Sequence, residues 1–89
     1  MTAEVLIYSK PGCCLCDRVK EQLAVLARRH NFSVREVNIL EDAKAFEQFR
    51  AEIPVVFING EKAFTFHLEE SEFLRRLAQT ERMPRDPRA

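Results

Sequence analysis

Apolar positions arrive in short bursts along this chain, and their spacing changes from burst to burst. Val5-Leu6-Ile7-Tyr8 is a continuous apolar run. That pattern suits a strand covered on both faces, and a strand is predicted over Ala3–Tyr8. Ser9-Lys10-Pro11-Gly12 breaks the run and predicts a loop. From Cys13 to about Arg29 the spacing becomes helical. Val19, Leu23 and Leu26 form one stripe, with Asp17, Lys20, Glu21 and Arg28 on the wet side. An acid in the first turns and Arg28, Arg29 and His30 in the last suit the helix dipole. His30-Asn31 predicts the stop, because Asn tolerates the left-handed conformation.

The second half of the chain repeats the alternation. Phe32–Leu40 reads as a strand whose apolar parity shifts between Val34 and Val37. A bulge or burial on both faces would explain the shift. Strand, helix, strand within ~35 residues is a βαβ unit, which requires parallel strands and a right-handed crossover. Glu41–Glu52 reads as a short helix with Ala45, Phe46 and Phe49 inward, ended by Ile53-Pro54. Val55-Val56-Phe57-Ile58 is the most strand-like segment. Asn59-Gly60 is a two-residue hairpin signal, so Lys62–Phe66 returns antiparallel. Glu69–Gln79 is the last helix, with Phe73, Leu74 and Leu77 facing in. Residues 81–89, rich in proline and arginine, are expected to form a flexible tail after a domain spanning 1–80. The order β-α-β-α-β-β-α predicts an α/β fold: a mixed four-stranded sheet flanked by helices.

Composition narrows the function. Eighty-nine residues make one domain. A hydrophobic content of 46% with 31% charged residues describes a globular chain, not a disordered one. Fourteen basic residues balance fourteen acidic ones, which argues against a nucleic-acid surface. No apolar run approaches the ~18–20 residues of a membrane span. The Met1-Thr2-Ala3-Glu4 start has no basic region of the kind that opens a signal peptide. A cytoplasmic, monomeric protein without nucleic-acid or membrane partners is expected.

The candidate chemistry lies in the cysteines, all three of which fall between positions 13 and 16. Bridges between such near neighbours close tiny loops and stabilise little. In a reducing compartment a cluster of this kind points to catalysis or metal binding. Cys13 and Cys16 make a Cys-x-x-Cys pair at a strand-to-helix junction, a redox motif. A helix start offers free N–H groups and the positive end of the dipole, where a thiolate is easiest to hold. Cys13 is therefore the candidate nucleophile. Cys16, one turn on, can resolve a mixed disulfide. Cys14 reads as filler at a variable position; a Cys13–Cys14 bridge would be strained.

Three features together resemble a glutaredoxin-like protein of the thioredoxin superfamily. They are Tyr8-Ser9-Lys10 with Cys13-Cys14-Leu15-Cys16 after the first strand, Ile53-Pro54 before the third, and the Asn59-Gly60 hairpin. The likeness runs from about Glu4 to Leu77 and is nearest to the group whose motif reads Cys-x-Leu-Cys. It implies a thioredoxin-like fold and thiol–disulfide exchange. It also implies a proline facing the cysteines in cis, although an X-Pro bond is cis in only ~5–6% of folded cases. The backbone of Ile53 would then pair with an extended substrate. Tyr8 and Lys10 are further candidate substrate contacts, with strand-end packing and a solvated loop lysine as their plain alternatives. Expected partners are a disulfide-containing protein or a small-molecule thiol. No resident cofactor and no metal is expected. Phe64–Glu69 lacks the Gly-Gly pair that glutathione-binding relatives carry, which leaves glutathione an open co-substrate. Two rival readings stand beside this one: a metal or iron–sulfur cluster carrier, and a redox-inert interaction module.

Overall fold

The computed structural model describes residues 3–82. Its elements are β1 (Ala3–Ser9), α1 (Cys14–Arg29), β2 (Phe32–Asn38), a 3-10 turn (Ile39–Glu41), α2 (Ala43–Phe49), β3 (Val55–Ile58), β4 (Glu61–Thr65) and α3 (Glu70–Arg82). The sheet order is β2-β1-β3-β4. β1 and β2 are parallel, while β1–β3 and β3–β4 are antiparallel. The mixed four-stranded sheet predicted from the chain is the one observed. Residues 81 and 82 continue α3 rather than starting a tail; the rest of the expected tail lies outside the described residues.

Alternation along the strands divides the core in two. On one face Val5, Ile7, Val56 and Ile58 pack with Val19, Leu23 and Leu26 of α1 and Phe73 and Leu77 of α3. On the other, Tyr8, Val55 and Phe57 meet Ala45 and Phe49 of α2, together with Ile39, Ile53 and Cys16. The structure corrects the expectation that β1 is buried on both faces. Glu4 is exposed and Leu6 is only half-buried, because α2 is seven residues long and covers one end of its face.

β2 corrects the sequence reading again. Its register with β1 runs unbroken from Ala3↔Phe32 to Ser9↔Asn38, so there is no bulge. Nor is it buried on both faces: it is an edge strand, and Val34 is exposed. The parity shift arises because Phe32, paired with Ala3, and Val37, paired with Tyr8, lie on opposite faces of the sheet, and Ile39 has already left the strand. Asn38 caps the 3-10 turn by accepting the Leu40 N–H at 2.9 Å, and the turn delivers Ile39 into the core.

Helix ends follow local chemistry. Asp42 accepts the Lys44 and Ala45 N–H groups at 3.0 and 3.2 Å and starts α2, two residues later than expected from Glu41. The Glu69 carboxylate accepts the Glu72 N–H at 3.1 Å at the start of α3. α1 stops as His30 turns extended while its N–H still donates to Leu26 O at 2.9 Å. Asn31 does not take the expected left-handed conformation. Asn59 and Gly60 both do, with φ of 49° and 87°, as a two-residue hairpin requires.

Candidate active site

The site begins where β1 ends. Ser9 is buried, Lys10-Pro11-Gly12 is exposed, and Gly12 adopts φ 79°. A Cβ there would meet nothing within 4 Å, so the backbone conformation alone favours glycine. Cys13 follows with extended backbone and occupies the N-cap of α1. Its Sγ accepts the Cys16 N–H at 3.3 Å, the role a serine hydroxyl plays at other helix starts. Its carbonyl accepts the Asp17 N–H at 3.0 Å.

The three thiols are free and occupy three environments. Cys14 is exposed, Cys13 half-buried and Cys16 fully buried. Helical spacing explains the split, since positions three apart share a face and adjacent ones do not. Burial pushes the Cys16 thiol well above its ordinary value, and its hydrogen bond to Cys13 adds to the effect. The Lys10 backbone N–H and the Lys20 charge act in the opposite direction. A half-exposed first thiol and a buried, proton-holding second one can divide attack from resolution.

The other predicted residues surround this pair unevenly. The Ile53-Pro54 bond is cis, as the resemblance implied. Ile53 is buried in the same cluster as Cys16, with Cys13 packed against it. The Pro54 carbonyl accepts the Phe66 N–H at 2.9 Å. Tyr8 is a packing residue: its ring lies 4.5 Å from that of Phe49 and 5.6 Å, edge-on, from that of Phe57. Lys10 is exposed, and its backbone rather than its ammonium acts on Cys16. Among the described residues no group of three or more His, Cys, Asp or Glu side chains is arranged to hold a metal ion.

Two features at this end were not legible in the sequence. Ser9, assigned to the loop, ends β1 and donates its hydroxyl to Glu36 at 2.9 Å. Nothing local to either residue announces that contact; only the β1–β2 register creates it. Phe66 holds φ 66°, rare for a bulky side chain, and is exposed.

Comparison with known proteins adds an independent line. Residues 4–81 match the family model described as Glutaredoxin-like domain (DUF836). The fold is similar to the solution structure of protein Ne2328 from Nitrosomonas europaea, with a TM-score of 0.76 at 20% identity, covering 86% of this chain and 93% of that one. A point mutant of thioredoxin from Halobacterium salinarum gives 0.70 at 14% identity, over 92% and 77% of the two chains. Thioredoxin O1 from Arabidopsis thaliana in the oxidized state gives 0.60 at 14%, over 89% and 77%. At these identities the structural likeness establishes the fold, which is thioredoxin-like.

Proposed function

The chain belongs to the glutaredoxin-like domain family, and from that premise we propose that it is a dithiol–disulfide oxidoreductase working through Cys13 and Cys16. The observation that carries this reading is the Cys13–Cys16 pair itself. One sulfur is half-buried at a helix N-cap, and the other is buried one turn behind it.

Cys13, as thiolate, attacks one sulfur of a substrate disulfide. A Cys13–substrate disulfide forms and the first substrate thiolate leaves. The helix start supports the anionic Cys13 sulfur through the Cys16 N–H and the dipole. Cys16 then loses its proton and attacks Cys13 Sγ. The Cys13–Cys16 bond forms, and the second substrate thiolate leaves and is protonated by solvent. The dithiol has lost two electrons and the substrate has gained them. Ile53 is buried in the cluster that holds Cys16, and its backbone, just before Pro54, is the edge with which an extended substrate would pair. A reducing, cytoplasmic setting suits free thiols of this kind.

Reduction of a model disulfide by the parent and by Cys13→Ser tests the reading. The variant is expected to lose turnover. Equal rates would overturn the assignment.

A further inference from the structure

Beside the cysteine pair lies a polar cluster that the exchange chemistry above does not use. Ser9 is a fully buried polar residue. Its hydroxyl donates to Glu36 Oε2 at 2.9 Å, and Lys20 Nζ donates to the same oxygen at 3.0 Å. Asp17 Oδ1 lies 3.7 Å from the ammonium. Three elements meet at this point: the end of β1, the middle of β2 and the second turn of α1. Glu36 is paired with Ile7, whose side chain packs under α1, so the carboxylate rises on the face where Lys20 descends.

An ordinary surface ion pair would call for no functional account. This one is pinned from below by a buried hydroxyl, and its cation has a defined neighbour. Lys20 follows Cys16 by one helical turn, and residues so spaced share a helix face. The groups around the buried sulfur are few. α1 and its cap contribute Cys13 and Lys20, while β1 and its loop contribute Tyr8 and the Lys10 N–H. α2 contributes Ala45 and Phe49, and Ile39, Ile53 and Val55 complete the apolar wall. Among the described residues, Lys20 is the cation whose charge acts on the Cys16 sulfur.

We propose that Lys20 is a positioning residue for the resolving step, its ammonium held by Glu36, whose carboxylate the Ser9 hydroxyl anchors in turn, where it stabilises the Cys16 thiolate. The inference rests on the dithiol reading given above. In the resolving step the Cys16 proton passes to solvent. Its sulfur forms the bond to Cys13 Sγ as the Cys13–substrate bond breaks, and the departing thiolate takes up a proton from solvent. Lys20 neither gives nor receives a proton. It lowers the cost of a buried negative sulfur that the apolar wall alone would oppose.

The test follows a single turnover. Cys14→Ser protein carrying thionitrobenzoate on Cys13 releases the coloured thiol as the Cys13–Cys16 bond forms, and the pH profile of release reads the ionisation of Cys16. In that background Lys20→Met is expected to move the midpoint to higher pH and to slow release near neutral pH by about three- to tenfold. Lys20→Arg keeps the charge and is expected to stay within about twofold of the parent. If Lys20→Met does not fold, Lys20→Gln carries the same expectation. A midpoint unchanged on loss of the charge, or a Lys20→Arg profile displaced as far as that of Lys20→Met, overturns the inference and leaves the dithiol reading standing. A parent that releases no thiol overturns both.

Discussion

The two faces of the sheet bury apolar residues for different ends. Under α1 and α3 the cluster is apolar throughout, with Ile7, Leu23 and Phe73 fully enclosed. Phe73 sits edge-on to Phe32, with ring centroids 5.3 Å apart. Under α2 the cluster is smaller and surrounds a thiol, Cys16, together with Ile53. Its helix is short, and part of its sheet face stays open. A closed core of the first kind supplies stability in proportion to area removed from water. The second is built from a helix cap, a 3-10 turn and a cis-proline loop, elements that set position more than they add area. It keeps one sulfur away from water and leaves its partner half outside. The site is thus assembled where packing is thinner, and the thicker core holds the strands from which it hangs.

The largest expected effect falls on the first cluster. Phe73→Ala removes a fully buried ring and is expected to cost about 3–5 kcal/mol, read from denaturant unfolding. A cost under about 1 kcal/mol would show that the α3 face is not the stability core. A smaller effect belongs to the second cluster. The folded state raises the Cys16 thiol from an ordinary 9.0 to about 11. A raised folded value means that the folded chain keeps its proton longer than the unfolded one. Stability from this source is therefore complete below about pH 9 and is lost as pH rises through about 11. Cys16→Ala should flatten that alkaline slope. An unchanged slope would deny that Cys16 is buried as a neutral thiol. The smallest effect belongs at the rim. Phe66→Gly relieves a positive φ worth roughly 1–2 kcal/mol in a non-glycine residue and gives up the packing of a half-exposed ring. The two terms oppose, and the melting midpoint should move little. A shift as large as that of Phe73→Ala would mean that Phe66 belongs to the core.

Much of the architecture was legible because it rests on local signals. Asn59-Gly60 needs two positive φ angles, which the residue types declare. Val19, Leu23 and Leu26 declare their face by spacing alone, and all three are buried. The Cys13-x-x-Cys16 pair after a Pro-Gly break declares a thiol at a helix cap, and Cys13 is that cap. The misreadings share a cause. The parity of β2 and the two-faced burial of β1 each depend on what lies across the sheet. An edge strand and a central strand of similar composition cannot be told apart until their neighbours are known.

Residue order by itself determined the succession of elements, the hairpin and the separation of Cys13 from Cys16 by one helical turn. These follow from backbone preference and short-range spacing, which act within a few residues. Tertiary structure alone decided that Cys16 would be sealed in the α2 cluster and that Ile53 would lie beside it. It also joined Ser9, Glu36 and Lys20 near the thiol. Those contacts link residues far apart in sequence through strand register and helix packing, and they exist only once the sheet has formed. For the same reason, how strongly Cys16 holds its proton is a property of the folded chain and not of its motif.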